Sequence, residues 1–180
     1  MRRFSLVPLA LVIALPLAAA PDNTAAVKKE LEAGFSKMMA AFQKHDLEGV
    51  AAYAADDYQG DDGMGHKLNK AQMKAMMKQY MDETKKVNSA KFSIANLKVN
   101  GNAAMGKTTT TLDMNVVDAQ GQLGKKGLSH HLVMTEFNNG TWTKTAKGWK
   151  VSKESPAGPP KMMVDGKPFN PQMPPPPKKK

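Results

Sequence analysis

Two residues stand out as candidate acid–base groups, His130 and Asp113. His130 alternates in phase with Leu128, Leu132 and Met134, while His131 falls in phase with Val133 and Thr135. If the apolar face looks inward, His130 is the better placed of the two imidazoles, and an imidazole titrates near neutrality. The competing reading is a hydrogen-bonded structural histidine at the edge of a core. Asp113 alternates with Lys107 and Thr111 on a polar face. Acid–base work there needs burial to raise its pKa; without burial it is a solvated surface aspartate. Asp57, Asp61 and Asp62 invite a calcium reading. An EF-hand loop wants Gly at position six and Glu at position twelve, and counting from Asp57 those places hold Asp62 and Leu68. Met73, Met76, Met77 and Met81 could offer soft sulfur to copper(I). The same spacing makes a buried helix stripe, which methionine fills well. The chain has no Cys, which excludes disulfides, thiolate metal sites and cysteine nucleophiles.

These residues depend on helices followed by strands. Val27, Leu31, Phe35, Met38, Met39 and Phe42 recur at helical spacing and predict a helix over 23–44. Asp46 can cap a short second helix over 47–54. Residues 56–65 read as a polar, Gly-rich loop. Asn69, with Gln72 three residues on, has the spacing of a capping box and opens a third helix. After Lys86 the period becomes strand-like, with a first strand over 91–99. The alternation slips near Ala95-Asn96, as at a β-bulge, and Asn100-Gly101 signals a hairpin. Further strands are expected over 102–117, 127–137, 141–145 and 149–154, with a hairpin or bulge at 138–140.

The ends differ in character. Arg2 and Arg3, an apolar run to Ala20 broken only by Pro8 and Pro16, and the small residues Ala18-Ala19-Ala20 have the three parts of a cleavable signal peptide over 1–20. A membrane span needs roughly 20 apolar residues, so an anchor and a membrane span are not expected. Cleavage near Ala19 or Ala20 leaves about 160 residues, enough for one core. It also removes both Arg residues, leaving 24 Lys against 16 acids. Without the bidentate fork of Arg, no specific nucleic-acid partner is expected. Residues 156–180 are rich in Pro and Lys and read as a largely disordered tail with a possible short edge strand at 161–164. Its lysines suit weak contact with anionic envelope surfaces.

The order of elements, together with His45-Asp46-Leu47, Ala55-Asp56-Asp57-Tyr58, Asn100-Gly101-Asn102-Ala103, the stretch from Thr141 to Val151 and Val164-Asp165-Gly166-Lys167-Pro168, resembles the nuclear-transport-factor-2-like superfamily. That group includes SnoaL-like cyclases and ketosteroid isomerases, and the chain looks most like a secreted bacterial branch of unknown function. The resemblance implies an α+β fold over 23–155, a curved antiparallel sheet wrapped around three N-terminal helices to form a cone with a pocket. It implies Tyr53, Tyr58, His66, Tyr80, His130 and Trp142 as pocket residues, with Asp113 beside them. It also implies frequent homodimerisation through the outer sheet face. Two well-defined chemistries of the fold are not matched. An Asp-Arg-Asp hydrolase site needs an Arg, and a ketosteroid-isomerase site needs a Tyr that the first helix lacks.

The reading is an exported domain, periplasmic or secreted, that binds a small apolar or amphipathic molecule without a cofactor or metal. The alternatives are an isomerase, cyclase or dehydratase using pocket acid–base residues, and a non-catalytic envelope interaction module. Export predicts that the full chain, expressed in a Gram-negative host, reaches the periplasm with a new N-terminus at Ala20 or Pro21. N-terminal sequencing of that fraction checks this, and an intact Met1 excludes cleavage.

Overall fold

The computed structural model describes residues 23–61 and 65–170. The expected signal peptide, Asp62 and the last ten residues of the expected tail lie outside them.

Helix α1 (Thr24–Gln43) buries Val27, Leu31, Phe35, Met39 and Phe42 along one face. Its stripe is the one the heptad-like spacing predicts. Helix α2 (Leu47–Ala51) starts at Asp46, whose side chain accepts from the Gly49 N–H. It stops three residues short of the expected end because the chain turns into a strand. Helix α3 (Lys70–Glu83) opens on a full capping box: Asn69 accepts from the Gln72 N–H, and Gln72 accepts from the Asn69 N–H. Two orphan helix donors are thereby satisfied.

The strands are β1 (Ala54–Asp61), β2 (Lys67–Asn69), β3 (Thr84–Asn100), β4 (Ala103–Val117), β5 (Ser129–Thr145), β6 (Gly148–Pro156), β7 (Lys161–Val164) and β8 (Lys167–Phe169). The main path of the sheet is β2-β1-β6-β5-β4-β3. All neighbours are antiparallel except β1 and β6, which run parallel. The curved sheet wraps the helices on one side, an α+β cone.

Three expectations need correction. The loop expected at 56–65 is largely strand β1. Its polar residues Asp56, Asp57 and Gln59 face solvent while Ala54, Tyr58 and Gly60 are buried, so pairing on both edges overrides a composition that is poor in strand formers. The break expected at 138–140 does not occur. β5 runs on through Gly140, because that glycine lies under a tryptophan rather than in a turn. Strand structure also begins at Thr84, directly after α3. The bulge of β3 lies where the alternation slips: pairing passes from Ala95↔Lys107 to Lys98↔Met105, and Asn96 has φ 54°.

The domain continues past residue 155. β7 pairs with β5 from Leu132↔Val164 to Thr135↔Lys161, and a turn at Asp165-Gly166, both with positive φ, folds β8 back on β7. β7 is the edge strand expected at 161–164, and β8 adds a strand where a disordered tail is expected, with Met162, Val164 and Phe169 packing near Leu132. β6 and β7 occupy successive stretches of the same edge of β5. β6 reaches Asn138 and β7 starts at Thr135. Between them the chain bows out, and the Ala157 N–H donates to the Phe137 carbonyl.

The core has three parts along the concave face. One joins Val27 and Leu31 of α1 to Tyr58, Ile94, Ala104, Trp142 and Val151. A second joins Phe35, Met39, Phe42, Val50 and Met81, with the Phe35 and Phe92 rings stacked at 4.5 Å. The third joins Met114, Val116, Leu132 and Val164. Trp142 is 1 % exposed, and its indole lies over Gly140. A Cβ built on Gly140 would stand 2.5 Å from Trp142 Cη2. Gly140→Ala is therefore expected to displace the indole and cost about 1–3 kcal/mol, read from the denaturant midpoint. Gly158→Ala, where a Cβ meets nothing within 4 Å, should leave the midpoint unchanged.

Candidate functional site

The strand parity places one set of β4 and β5 side chains on the concave face. Thr108 pairs with Asn138, Thr110 with Glu136, Leu112 with Met134, and Ala104 with Trp142. Across the next ladder Gly140 faces Glu154 of β6. The helices make their close contacts with β1, β2, β3 and β6. The middle of β4 and β5 is left half-buried at Thr110, Leu112, Met134, Glu136 and Asn138.

Two carboxyls thus sit on the inner face of adjacent strands. The Asn138 amide donates to Glu154 Oε1 at 3.2 Å. Burial, then the neighbouring Glu136 charge, pushes the Glu154 carboxyl up to about 7, against a smaller opposing effect of the Asn138 bond. Burial also raises Glu136. The ion pairs among the described residues involve other groups, so no lysine neutralises this pair.

Three tyrosines feel the charge of the pair. Tyr58 is buried on β1, and its hydroxyl is raised by burial and then by Glu154. Tyr53 accepts from Trp142 Nε1 at 3.4 Å. Burial pushes its hydroxyl up to about 12, with Glu154 adding to the rise. Tyr80 on α3 is 46 % exposed. Its hydroxyl is raised by partial burial and then by Glu136 and Glu83. Of the expected residues, Tyr53 and Tyr58 feel the charge of Glu154 and Tyr80 that of Glu136, two carboxyls that the sequence reading missed, while Trp142 is sunk in the core.

The other expected residues lie elsewhere. His66 is exposed in the link between β1 and β2. His130 is on the inner face but at the far end, beside the third core cluster. Its Nδ1 donates to Asp165 Oδ2 at 2.8 Å, and the other Asp165 oxygen accepts from the His131 N–H at 2.9 Å. These two bonds lower the Asp165 pKa. His130 thus ties the β7–β8 turn to β5, the structural role weighed above. Asp113 is on the convex face. It accepts from Asn88 and from His131 Nε2, both at 2.8 Å, and those bonds lower its pKa. A depressed, solvent-facing carboxylate does not hold a proton near neutrality, so neither expected acid–base residue joins the carboxyl pair.

Met73 and Met81 are buried in the core clusters. Among the described residues no group of three or more His, Asp or Glu could hold a metal ion. Two surface hollows of about 420 and 480 Å³ flank α3, lined mostly by charged and small residues, and both lie outside the concave face.

No protein-family model matches the chain, and no curated protein matches it. Solved structures do. A conserved protein from Planctomyces limnophilus is similar with a TM-score of 0.57 at 12% identity, over 73% of this chain and 94% of its own. A protein from Kribbella flavida is similar with a TM-score of 0.54 at 11% identity, over 73% and 90%. A ketosteroid isomerase-like protein from Erwinia carotovora atroseptica is similar with a TM-score of 0.51 at 16% identity, over 78% and 100%. At these identities the likeness is one of fold. The chain has the nuclear-transport-factor-2-like, ketosteroid-isomerase-like cone fold.

Glu154 makes a pH prediction. Its folded pKa, about 7, lies above the ordinary 4.5, so between those values the folded state holds a proton that the unfolded state has lost. The slope of stability against pH is negative there. This contribution is complete below about 4.5 and is lost as pH rises through about 7, roughly 3 kcal/mol at most. Urea titrations across this window should show wild-type stability falling more steeply than that of Glu154→Gln. Parallel curves would place Glu154 in solvent.

Proposed function

We propose that the chain is an exported domain that binds a small apolar or amphipathic molecule on the concave face of its cone. The observation that carries this reading is the half-buried strip at the middle of β4 and β5. Apolar Leu112 and Met134 adjoin polar Thr110, Glu136 and Asn138, with Leu112 resting against the second and third core clusters. Ligand sites combine apolar walls with a few placed polar groups in this way. The fold hosts many activities, so the argument rests on the strip itself. Export rests on the N-terminal sequence pattern. Among the described residues no helix is long and apolar enough to cross a membrane.

A second reading has one specific observation behind it. A carboxyl titrating at about 7 is matched to general acid–base work near neutral pH. An isomerase, cyclase or dehydratase on this scaffold would use Glu154, its proton affinity raised by burial and then by Glu136, in place of His130 and Asp113.

Nile red, a neutral dye that brightens in apolar surroundings, tests the binding reading. The mature protein should enhance its fluorescence saturably. Thr110→Trp, which fills the strip opposite Glu136, should weaken that binding at least tenfold, while Asp113→Asn on the convex face leaves it unchanged. No enhancement, or equal enhancement by Thr110→Trp, removes the concave face as a binding site.

A further inference from the structure

The chemistry of the polar end narrows the ligand class, an inference that rests on the concave face being the binding site. Glu136 and Glu154 face it from β5 and β6 without a cationic partner among the described residues, and Asn138 fixes one oxygen of Glu154. The other groups facing the pair are hydroxyls and rings. Tyr58 comes from β1, Tyr53 from the turn before it, Tyr80 from α3 and Thr110 from β4. None of these carries positive charge at neutral pH, and the tyrosines are held in their neutral form. Two carboxyls on a shielded face repel each other, and each loses solvation. A ligand that brings one positive charge relieves both effects. An aromatic ring face also attracts a cation within about 6 Å, and the exposed ring of Tyr80 offers such a face.

We propose that the concave face selects a small hydrophobic cation, an amine or quaternary ammonium with an apolar body. Its charged end lies on the face that Glu136 and Glu154 share, and its apolar body lies along Leu112 and Met134. The rest of the molecule makes this a demanding discrimination. Formal charge over the whole chain is +10, so the long-range field disfavours cations and gives a cation no reason to collect on the surface. A cation retained by this protein has to be held locally.

The proposal fixes the sign of proton coupling. A bound ammonium favours the ionised carboxyls, so binding expels the proton that Glu154 holds, and affinity rises as pH rises through about 7. A neutral ligand that accepts a hydrogen bond from protonated Glu154 shows the opposite slope.

Matched ligands with one apolar body separate the cases. Octylamine, octyltrimethylammonium and 1-octanol are competed against Nile red on the mature protein at pH 5.5 and pH 8. The expected result is displacement by both cations at concentrations at least tenfold below 1-octanol at pH 8, with that preference shrinking several-fold at pH 5.5. Glu136→Gln and the double variant Glu136→Gln, Glu154→Gln should bind Nile red yet lose the preference. Circular dichroism confirms that they are folded, and the single variant serves if the double one is not. Equal or better displacement by 1-octanol, or a preference that survives in the Gln variants, overturns the cation proposal and leaves the binding site standing. Absence of Nile red binding in the wild type overturns the site, and with it the proposal.

Discussion

The ladder between β4 and β5 runs without a register shift from Ala103↔Thr143 to Val117↔Ser129. Because side chains alternate faces with a period of two, a one-residue slip would send every inward residue outward. Trp142, Asn138, Glu136, Met134, Leu132 and His130 therefore share one fate. The ladder supplies Ala104 and Trp142 to the first core cluster and Met114, Val116 and Leu132 to the third, and it necessarily turns Glu136 inward with them. Each end of the ladder is secured by something local. At one end Trp142 sinks over Gly140 and meets Tyr53. At the other Asp118 cinches the β4–β5 connection, its carboxylate accepting from the N–H groups of Gln122 and Leu123.

The carboxyl pair is unfavourable for folding taken alone. Shielding two like charges from water costs free energy, and the raised pKa of Glu154 is the visible form of that cost. Apolar burial on either side of the pair offsets it. Phe35, Met39 and Phe42 lie toward one end, and Val27, Leu31 and Trp142 toward the other, each worth about 1.5–3 kcal/mol when fully buried. Groups that disfavour folding yet sit together in a concave site are where function is concentrated.

The helices were legible because their signals are local. The α1 stripe, the Asp46 cap and the Asn69–Gln72 box can all be read within a few residues, and the structure contains them. The slip at Ala95-Asn96 was legible for the same reason. What depended on distant partners was not. β1 looks like a loop until β2 and β6 pair with it. The partner of His130 is Asp165, 35 residues away. Glu136 was within reach, since it alternates in phase with Leu132 and Met134, but expecting the strand to stop at Phe137 hid its place in a continuous row. Glu154 was harder. A register irregularity between Thr141 and Trp142 decides which β6 residue faces inward, and simple alternation does not show that.

The interruption along β5 has a kinetic meaning. Over most of its length β5 is held on both edges by several consecutive backbone bonds, so exposing its interior requires a ladder to part. Beside Glu136 the wall consists of the bowed chain between β6 and β7, fastened by the single Ala157–Phe137 bond. Local opening free energies scale with the number of contacts that must be broken together. The carboxyl pair therefore sits behind the thinnest part of the wall. Parting that stretch of the β5 edge breaks fewer backbone bonds than parting either ladder beside it.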